Sequence, residues 1–208
     1  IHFTKDSRKH ITKREGYIVV FVGWLFLILS GCIPYFSAYY YLPADDLVHN
    51  NFNFVNIFYE TVSGYTATGT SIFDDPQNLP KSILFWRSTT NWIGGMGIIV
   101  LTIAILPFLG IGGRQLFLAE APGIHTDKIH PRITETAKQL WILYVLLTLI
   151  FSILLYFSGM NLFDATNHSM STISTGGFST KNIGVAHWSD NIAVQYLLII
   201  LMFVGGTN

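Results

Sequence analysis

The chain has 208 residues, of which 50% are hydrophobic and only 12% are charged, a composition more apolar than that of an ordinary water-soluble globular protein. Twelve Lys and Arg residues balance twelve Asp and Glu residues, so the chain lacks the excess positive charge of a protein that binds nucleic acid. Composition and charge therefore indicate an integral membrane protein and exclude nucleic acid as an expected partner.

The first predicted element is a membrane-spanning helix over residues 17–40. This stretch carries no charged side chain, and a bilayer core of about 30 Å requires only about 20 helical residues. Three further apolar stretches predict spans at residues 88–111, 139–163 and 191–208, the last of which is interrupted by the chain end.

The distribution of basic residues predicts the orientation of these spans. Nine of the twelve lie on one side, five of them before the first span and four in the connector between the second and third spans. Because basic residues are retained on the cytoplasmic side, the N-terminal segment and the connector at 112–138 are predicted to be cytoplasmic. The segments that follow the first and third spans then face outward.

A short helical segment follows the first span, and another follows the third. They read NFVNIFYETVSGY over residues 53–65 and NLFDATNHSMSTI over residues 161–173, and both are too short to cross a membrane. Each precedes a Thr-Gly turn, so that Gly69 and Gly176 stand at matching places in the two halves. Both halves of the chain therefore read span, half-helix, turn, span.

The two Thr-Gly turns predict a path for cations. Non-helical backbone is tolerated at membrane depth only where protein buries it or where it lines a water-filled path. Glycine permits positive φ, so residues around Gly69 and Gly176 can direct successive carbonyl groups toward one axis. Rings of such carbonyls replace the hydration shell of an alkali cation, and the negative ends of the preceding half-helices favour a cation there.

Other interpretations of the small residues are weaker. Small residues also serve close helix packing in membranes, but packing does not require two copies at the same place in two units.

A serine hydrolase would need a Gly two places before its serine, and the Ser-Gly pairs at Ser30, Ser63 and Ser158 lack it, so no enzyme activity is predicted. A non-conducting structural or regulatory membrane subunit is the alternative function.

Three titratable residues of the short helical segments admit two roles each. Glu60 lies in the first half-helix and either raises the local cation concentration or pairs with Arg87. Asp164 and His168 are four positions apart on one face of the second half-helix. They form either a proton relay or a simpler arrangement in which the positive start of the helix stabilises Asp164.

Glycine pairs in the second and fourth spans have two interpretations as well. They stand in GGMG at residues 94–97 and in GG at residues 205–206. Close packing against a neighbouring half-helix is favoured over hinge bending.

Five longer motifs carry a resemblance to a known family. They read FYETVSGYTATGTSIF at 58–73, WRSTTNWIGGMGIIVLTIAILP at 86–107, AEAPG at 119–123, PRITETAK at 131–138 and NLFDATNHSMSTISTGGFST at 161–180. On these motifs the chain resembles the Trk/Ktr/HKT superfamily of potassium transporters, and most closely its bacterial TrkH branch. The resemblance covers nearly the whole chain.

The resemblance implies an all-α integral membrane fold of the potassium-channel type. In this family four repeated units of span, re-entrant pore half-helix and span surround one pore. The chain would hold a first pore unit at 1–111, a cytoplasmic connector at 112–138 and a second pore unit at 139–208, truncated in its last span. It would therefore supply two of four filter strands to a channel-like K⁺ pathway.

The resemblance also implies which residues form the filter. Each unit of the family donates one strand with a central glycine, and Gly69 and Gly176 are the glycines implied here. Gly176 and Gly177 can exchange roles by one register. The implied K⁺-binding residues are Ala67, Thr68, Gly69, Thr70, Ser174, Thr175, Gly176 and Gly177.

Partners and location follow from the same resemblance. It implies a multi-pass protein of the bacterial inner membrane, surrounded by the lipid bilayer, with K⁺ as the transported ion and no covalent cofactor. The remaining pore units would belong to a longer parent protein, and the parent would be a homodimer. A cytosolic nucleotide-binding regulatory subunit of the TrkA type would dock on the cytoplasmic face, where the 112–138 connector is a candidate contact surface.

Overall fold

The computed structural model of the chain describes residues 13–42, 52–97 and 133–207. Within these ranges the fold is all-helical, as predicted, and contains no β-strand. The helices are α1 (Lys13–Gly31), α2 (Ile33–Tyr39), α3 (Phe54–Tyr65), α4 (Lys81–Gly95), α5 (Ile133–Phe157), α6 (Leu162–Ile173) and α7 (Ile192–Gly206), with short 3-10 helices at Pro76–Asn78 and Gly184–Trp188.

Two segments of the described chain are long and apolar enough to cross a membrane. They are Ile18–Tyr39, which joins α1 and α2, and Lys138–Phe157, which is most of α5; α7 is a shorter apolar helix. Only 17% and 22% of their most apolar stretches are buried within the chain. The core helix of a soluble protein is mostly buried, so these two helices instead present their apolar side chains to lipid or to other protein.

The observed helices change the bounds of two predicted spans. The predicted span at 139–163 is wrong in its limits, because α5 occupies 133–157 and the chain turns at Gly159, where φ is +107°. Helix α4 begins at Lys81, earlier than the predicted start of the second span at residue 88. Its predicted continuation over 98–111, the connector at 112–132 and the basic segment before residue 13 lie outside the described residues.

Helices α3 and α6 are the two short helices that the sequence predicts. Each has 12 residues, and each is capped by an asparagine whose side-chain oxygen accepts a backbone N–H of the first turn. The cap distances are 2.9 Å from Asn56 N to Asn53 and 2.8 Å from Asp164 N to Asn161. Helix α3 packs on α1 and α4, while α6 is enclosed by α4, α5 and α7.

Glycines bring α4 and α7 into backbone contact with the short helices α3 and α6. Gly94 of α4 lies against the backbone of Tyr65, the last residue of α3. Gly205 of α7 lies in the same way against Ile173, the last residue of α6. A Cβ on Gly205 would stand only 3.1 Å from the Ile173 carbonyl carbon and closer still to its oxygen. The contacts agree with close packing as the role of these glycines.

We expect Gly205→Ala to destabilise the protein by about 1–3 kcal/mol, since the added methyl group has no room beside the Ile173 carbonyl. Gly206→Ala is the matched control, because the nearest atom to a Cβ there is Thr175 Cγ2 at 3.9 Å. The thermal unfolding midpoint of the purified protein in detergent measures both. Equal midpoints for the two variants would show that the close contact between Gly205 and Ile173 does not determine the stability of the protein.

Candidate functional site

Each short helix ends in a turn, and the two turns have positive φ values at matching positions. We call residues 66–73 the first turn segment and residues 174–181 the second. Ala67 and Thr175 have left-handed φ values of +51° and +53°, and Gly69 and Gly177 follow with +73° and +146°. A left-handed φ is unfavourable for a residue with a Cβ. Its recurrence at the same place in the second turn therefore indicates that the surroundings impose it.

The shared conformation corrects the alignment of the glycines. The Thr-Gly dipeptides paired Gly69 with Gly176, whereas the backbone pairs Gly69 with Gly177 and Thr68 with Gly176. The limits of α3 and α6 follow the same register, since both helices have 12 residues and end immediately before their turn segments. Of the two registers that the sequence left open, the structure has the one with Gly177 opposite Gly69, because helix caps and turn conformation set the register rather than residue identity.

Backbone amides of both segments point back into the preceding helix. In the first segment, Ala67 N donates to Gly64 O at 2.9 Å and Thr68 N to Ser63 O at 3.0 Å. The second segment repeats this pattern, with Thr175 N to Thr172 O at 2.9 Å and Gly176 N to Ser171 O at 2.9 Å. Among the hydrogen bonds of the described residues, none goes to the carbonyl groups of 67–69 or 175–177. Their oxygens are therefore available to another ligand.

The two segments meet at their glycines. A Cβ on Gly69 would lie 2.6 Å from the carbonyl carbon of Gly176 and 2.6 Å from Gly177 N. A Cβ on Gly177 would lie 3.8 Å from both Cα and O of Gly69. A side chain at position 69 does not fit between the segments, so backbone faces backbone there.

The structure brings all eight predicted filter residues into these two segments, but two of them differ from the rest. The Thr70 carbonyl already accepts the Ser63 hydroxyl at 2.7 Å. Ser174 is a buried residue at the end of α6, and its hydroxyl donates to Ser171 O at 2.9 Å. Of the eight carbonyls, that of Thr70 is thus the one that already accepts a hydrogen bond from the described residues, and that of Ser174 stays open.

A buried ion pair supports the first segment. Arg87 Nε lies 2.7 Å from Glu60 Oε1, and the two side chains are 2% and 0% exposed. Glu60 also accepts the Ser71 hydroxyl at 3.0 Å and the Ile72 backbone N–H at 2.9 Å. Of the two roles considered for Glu60, the structure shows the pairing with Arg87, because the carboxylate is occupied by donors of the protein.

An imidazole takes the place of this carboxylate in the second segment. In the register that pairs Gly69 with Gly177, His168 corresponds to Glu60 and Ser179 corresponds to Ser71. The Nε2 atom of His168 lies 2.8 Å from the Ser179 hydroxyl, and its Nδ1 lies 2.8 Å from the Asp164 backbone oxygen. A carbonyl only accepts, so Nδ1 carries the proton and Nε2 accepts the Ser179 hydroxyl.

The carboxylate of Asp164 has other partners. It accepts the Thr180 hydroxyl at 2.5 Å and forms an ion pair with Lys181 Nζ at 3.1 Å. Asp164 lies in the first turn of α6, as the simpler of the two interpretations required. The contact between carboxylate and imidazole that a proton relay needs is not made.

Sequence analysis missed the serines that support the segments. Ser71 and Ser179 hold the two segments beside Glu60 and His168, and each hydroxyl also accepts the backbone N–H two positions later. Ser171 accepts from Gly177 N and from Asn91 Nδ2, both at 3.1 Å. Aligning the two halves one position further along, with Gly177 instead of Gly176 opposite Gly69, would have shown the Ser71 and Ser179 pair.

Comparisons with known proteins agree with the resemblance. A family model described as TrkH, cation transport protein, matches residues 2–208. The Trk system potassium uptake protein TrkH of Escherichia coli K12 is 39% identical over 205 residues, which cover 98% of this chain and 40% of that protein. TrkG of the same organism, also a Trk system potassium uptake protein, is 38% identical over 188 residues, 90% of this chain and 37% of its own length.

A solved structure is similar as well. The crystal structure of the potassium transporter TrkH from Vibrio parahaemolyticus matches with a TM-score of 0.69 and 35% identity, covering 98% of this chain and 38% of that one. The chain therefore spans about two fifths of the length of the relatives it matches.

We expect His168→Leu to lower the stability of the protein by about 1–3 kcal/mol, because it leaves the half-buried Ser179 hydroxyl without its acceptor, the buried His168 ring. His187→Leu is the control, since that ring is exposed. Denaturation of the purified protein in detergent distinguishes the two. An unchanged His168→Leu variant would contradict the supporting role of the imidazole.

Proposed function

This chain belongs to the TrkH family of cation transport proteins, and from that membership we propose that it supplies two of the four filter strands of a bacterial potassium uptake protein. The family is one of transporters and not of enzymes, in agreement with the sequence prediction. The two turn segments are the proposed strands, and the K⁺-binding residues are those of 67–70 and 174–177.

The observation that carries this proposal is the pair of turns with open carbonyl groups. The oxygens of 67–69 and 175–177 accept no hydrogen bond from the described residues, and the two turns meet without side chains between them. Carbonyl oxygens in such an arrangement replace the water around a K⁺ ion. Helices α3 and α6 end at these turns, so their negative ends add an attraction for a cation.

Two successive pore units account for the order of the helices. We assign residues 1–111 to the first unit, in which α1 and α2 span, α3 is the re-entrant half-helix and α4 begins the return. Residues 139–208 form the second unit, with α5, α6 and α7 in the same roles. Recurrence of the cap, the turn conformation and the glycine contact in both units supports this division. The other two strands come from a longer parent protein, as the length of the relatives suggests.

The proposed setting is the bacterial inner membrane. In this arrangement the N-terminal segment and the connector at 112–138 are cytoplasmic, and the turn segments are reached from outside. Relatives are named as parts of a Trk system, which supports a further protein of such a system as a partner. From the resemblance we infer that this partner is a cytosolic nucleotide-binding regulatory subunit. A homodimer of the parent completes the proposed assembly.

The decisive experiment is Gly69→Ser in the parent protein, reconstituted in vesicles and assayed for Rb⁺ and K⁺ uptake with Na⁺ as competitor. We expect loss of uptake or a fall of at least about tenfold in the preference for K⁺, because any side chain at position 69 strikes the main chain of the second segment.

Gly184→Ser provides the matched control for this substitution. Gly184 also has a positive φ, of +64°, but no atom lies within 4 Å of a Cβ placed there. This variant should transport like the wild type. If Gly69→Ser also transports like the wild type, the turns do not form the path, and the non-conducting subunit becomes the better description.

A further inference from the structure

We propose that Arg87 is a positioning residue that ties the two filter strands to each other, so that ion selectivity depends on it. The inference rests on the function proposed above. It concerns how one strand is held at a set distance from the other, a property that neither the ion pair with Glu60 nor the family membership defines.

Arg87 lies where both strands can be reached from one side chain. Its Nη2 donates to the Ser71 hydroxyl of the first segment at 2.9 Å, and its Nη1 donates to the Ser179 backbone oxygen of the second at 3.3 Å. The guanidinium carbon also stands over two rings, 4.5 Å from that of Phe178 and 5.9 Å from that of Phe73. The group therefore contacts one aromatic ring and one hydrogen-bond acceptor from each segment.

The shape of the guanidinium makes this link possible. Arginine carries five N–H donors in a rigid plane, so Nε, Nη1 and Nη2 can serve three partners at once. Here the three partners are Glu60, Ser179 and Ser71. A lysine ammonium keeps the charge but concentrates its donors at one point, and cannot hold both segments in the same geometry.

The second unit, in the part that the structure describes, has no equivalent of Arg87. The contacts of Gly94 with Tyr65 and of Gly205 with Ile173 place α4 and α7 in matching positions, and in this alignment Arg87 corresponds to Leu198. Leu198 is buried and apolar, and the second segment is instead supported by the imidazole of His168. The Ser179 hydroxyl therefore bonds to His168 of its own unit, whereas the Ser179 carbonyl accepts a hydrogen bond from Arg87 of the first unit.

Selectivity is the property that this link controls. A filter distinguishes K⁺ from Na⁺ by the number, field strength and spacing of its carbonyl oxygens. Two strands that move independently adapt to the smaller ion, whereas strands joined through one rigid group keep their spacing. Because Glu60 balances the charge of Arg87 in a buried pair, the effect of Arg87 is one of geometry rather than of net charge.

The test is Arg87→Lys in the reconstituted parent protein, with the K⁺-over-Na⁺ ratio measured from vesicle fluxes of protein confirmed as monodisperse. We expect this ratio to fall about tenfold while ion flux persists. A factor of about ten is the effect expected from the loss of one charge-assisted hydrogen bond. Lys81→Gln is the control, because it removes an exposed cation from the same helix, and it should keep the wild-type ratio.

Ser71→Ala is the second variant, and it keeps the test decisive if Arg87→Lys fails to fold. It removes the hydroxyl that accepts from Arg87 in the first segment, together with the contacts of that hydroxyl with Glu60 and with the Phe73 N–H, but it leaves Arg87 bonded to Ser179. We therefore expect a smaller fall of the ratio in the same direction. A wild-type ratio in every folded variant of this pair overturns the inference. A wild-type parent that itself shows no K⁺ flux or preference overturns the proposed function instead, so the two failures are distinguishable.

Discussion

The buried ion pair of Glu60 and Arg87 is the interaction on which the geometry of both turn segments depends. Removing two charges from water is costly, and the cost is offset only where the remaining donors and acceptors of both groups are satisfied. In this chain they are satisfied by the turn segments themselves, through Ser71, Ile72 and Ser179. If the turns moved away, the buried pair would lose these hydrogen bonds, so the need to satisfy the two desolvated charges restrains the backbone of both turns.

The second unit holds its segment with a neutral group and with an ion pair. His168 occupies the position of Glu60, and Ser179 that of Ser71, and the neutral imidazole both donates and accepts. The buried carboxylate of Asp164 accepts the Thr180 hydroxyl of the same segment. The ion pair of Asp164 and Lys181 lies at the start of α6, where Lys181 is 23% exposed. The two units thus share the positions of their positive φ values while differing in supporting side chains, and Arg87 of the first unit also contacts the second segment.

Backbone polar groups explain why such restraints are required at all. A turn within a membrane protein must satisfy its N–H and C=O groups without help from lipid. Here the amides of Ala67 and Thr68 are satisfied by α3, and those of Thr175 and Gly176 by α6, which leaves the carbonyls. Free carbonyls on a turn held by buried side chains are a suitable ligand set for a cation, since the protein and not the ion maintains their positions.

The sequence by itself determined the helical class, the two short helices and the glycine turns after them, because hydropathy, helical periodicity and positive φ act over a few neighbouring residues. It also offered the pairing of Glu60 with Arg87 as one of two roles. Only the tertiary structure decided that Gly177 is the counterpart of Gly69, and that Arg87 reaches Ser179, 92 residues away in the chain. Such contacts arise from helix packing, which local sequence patterns do not encode.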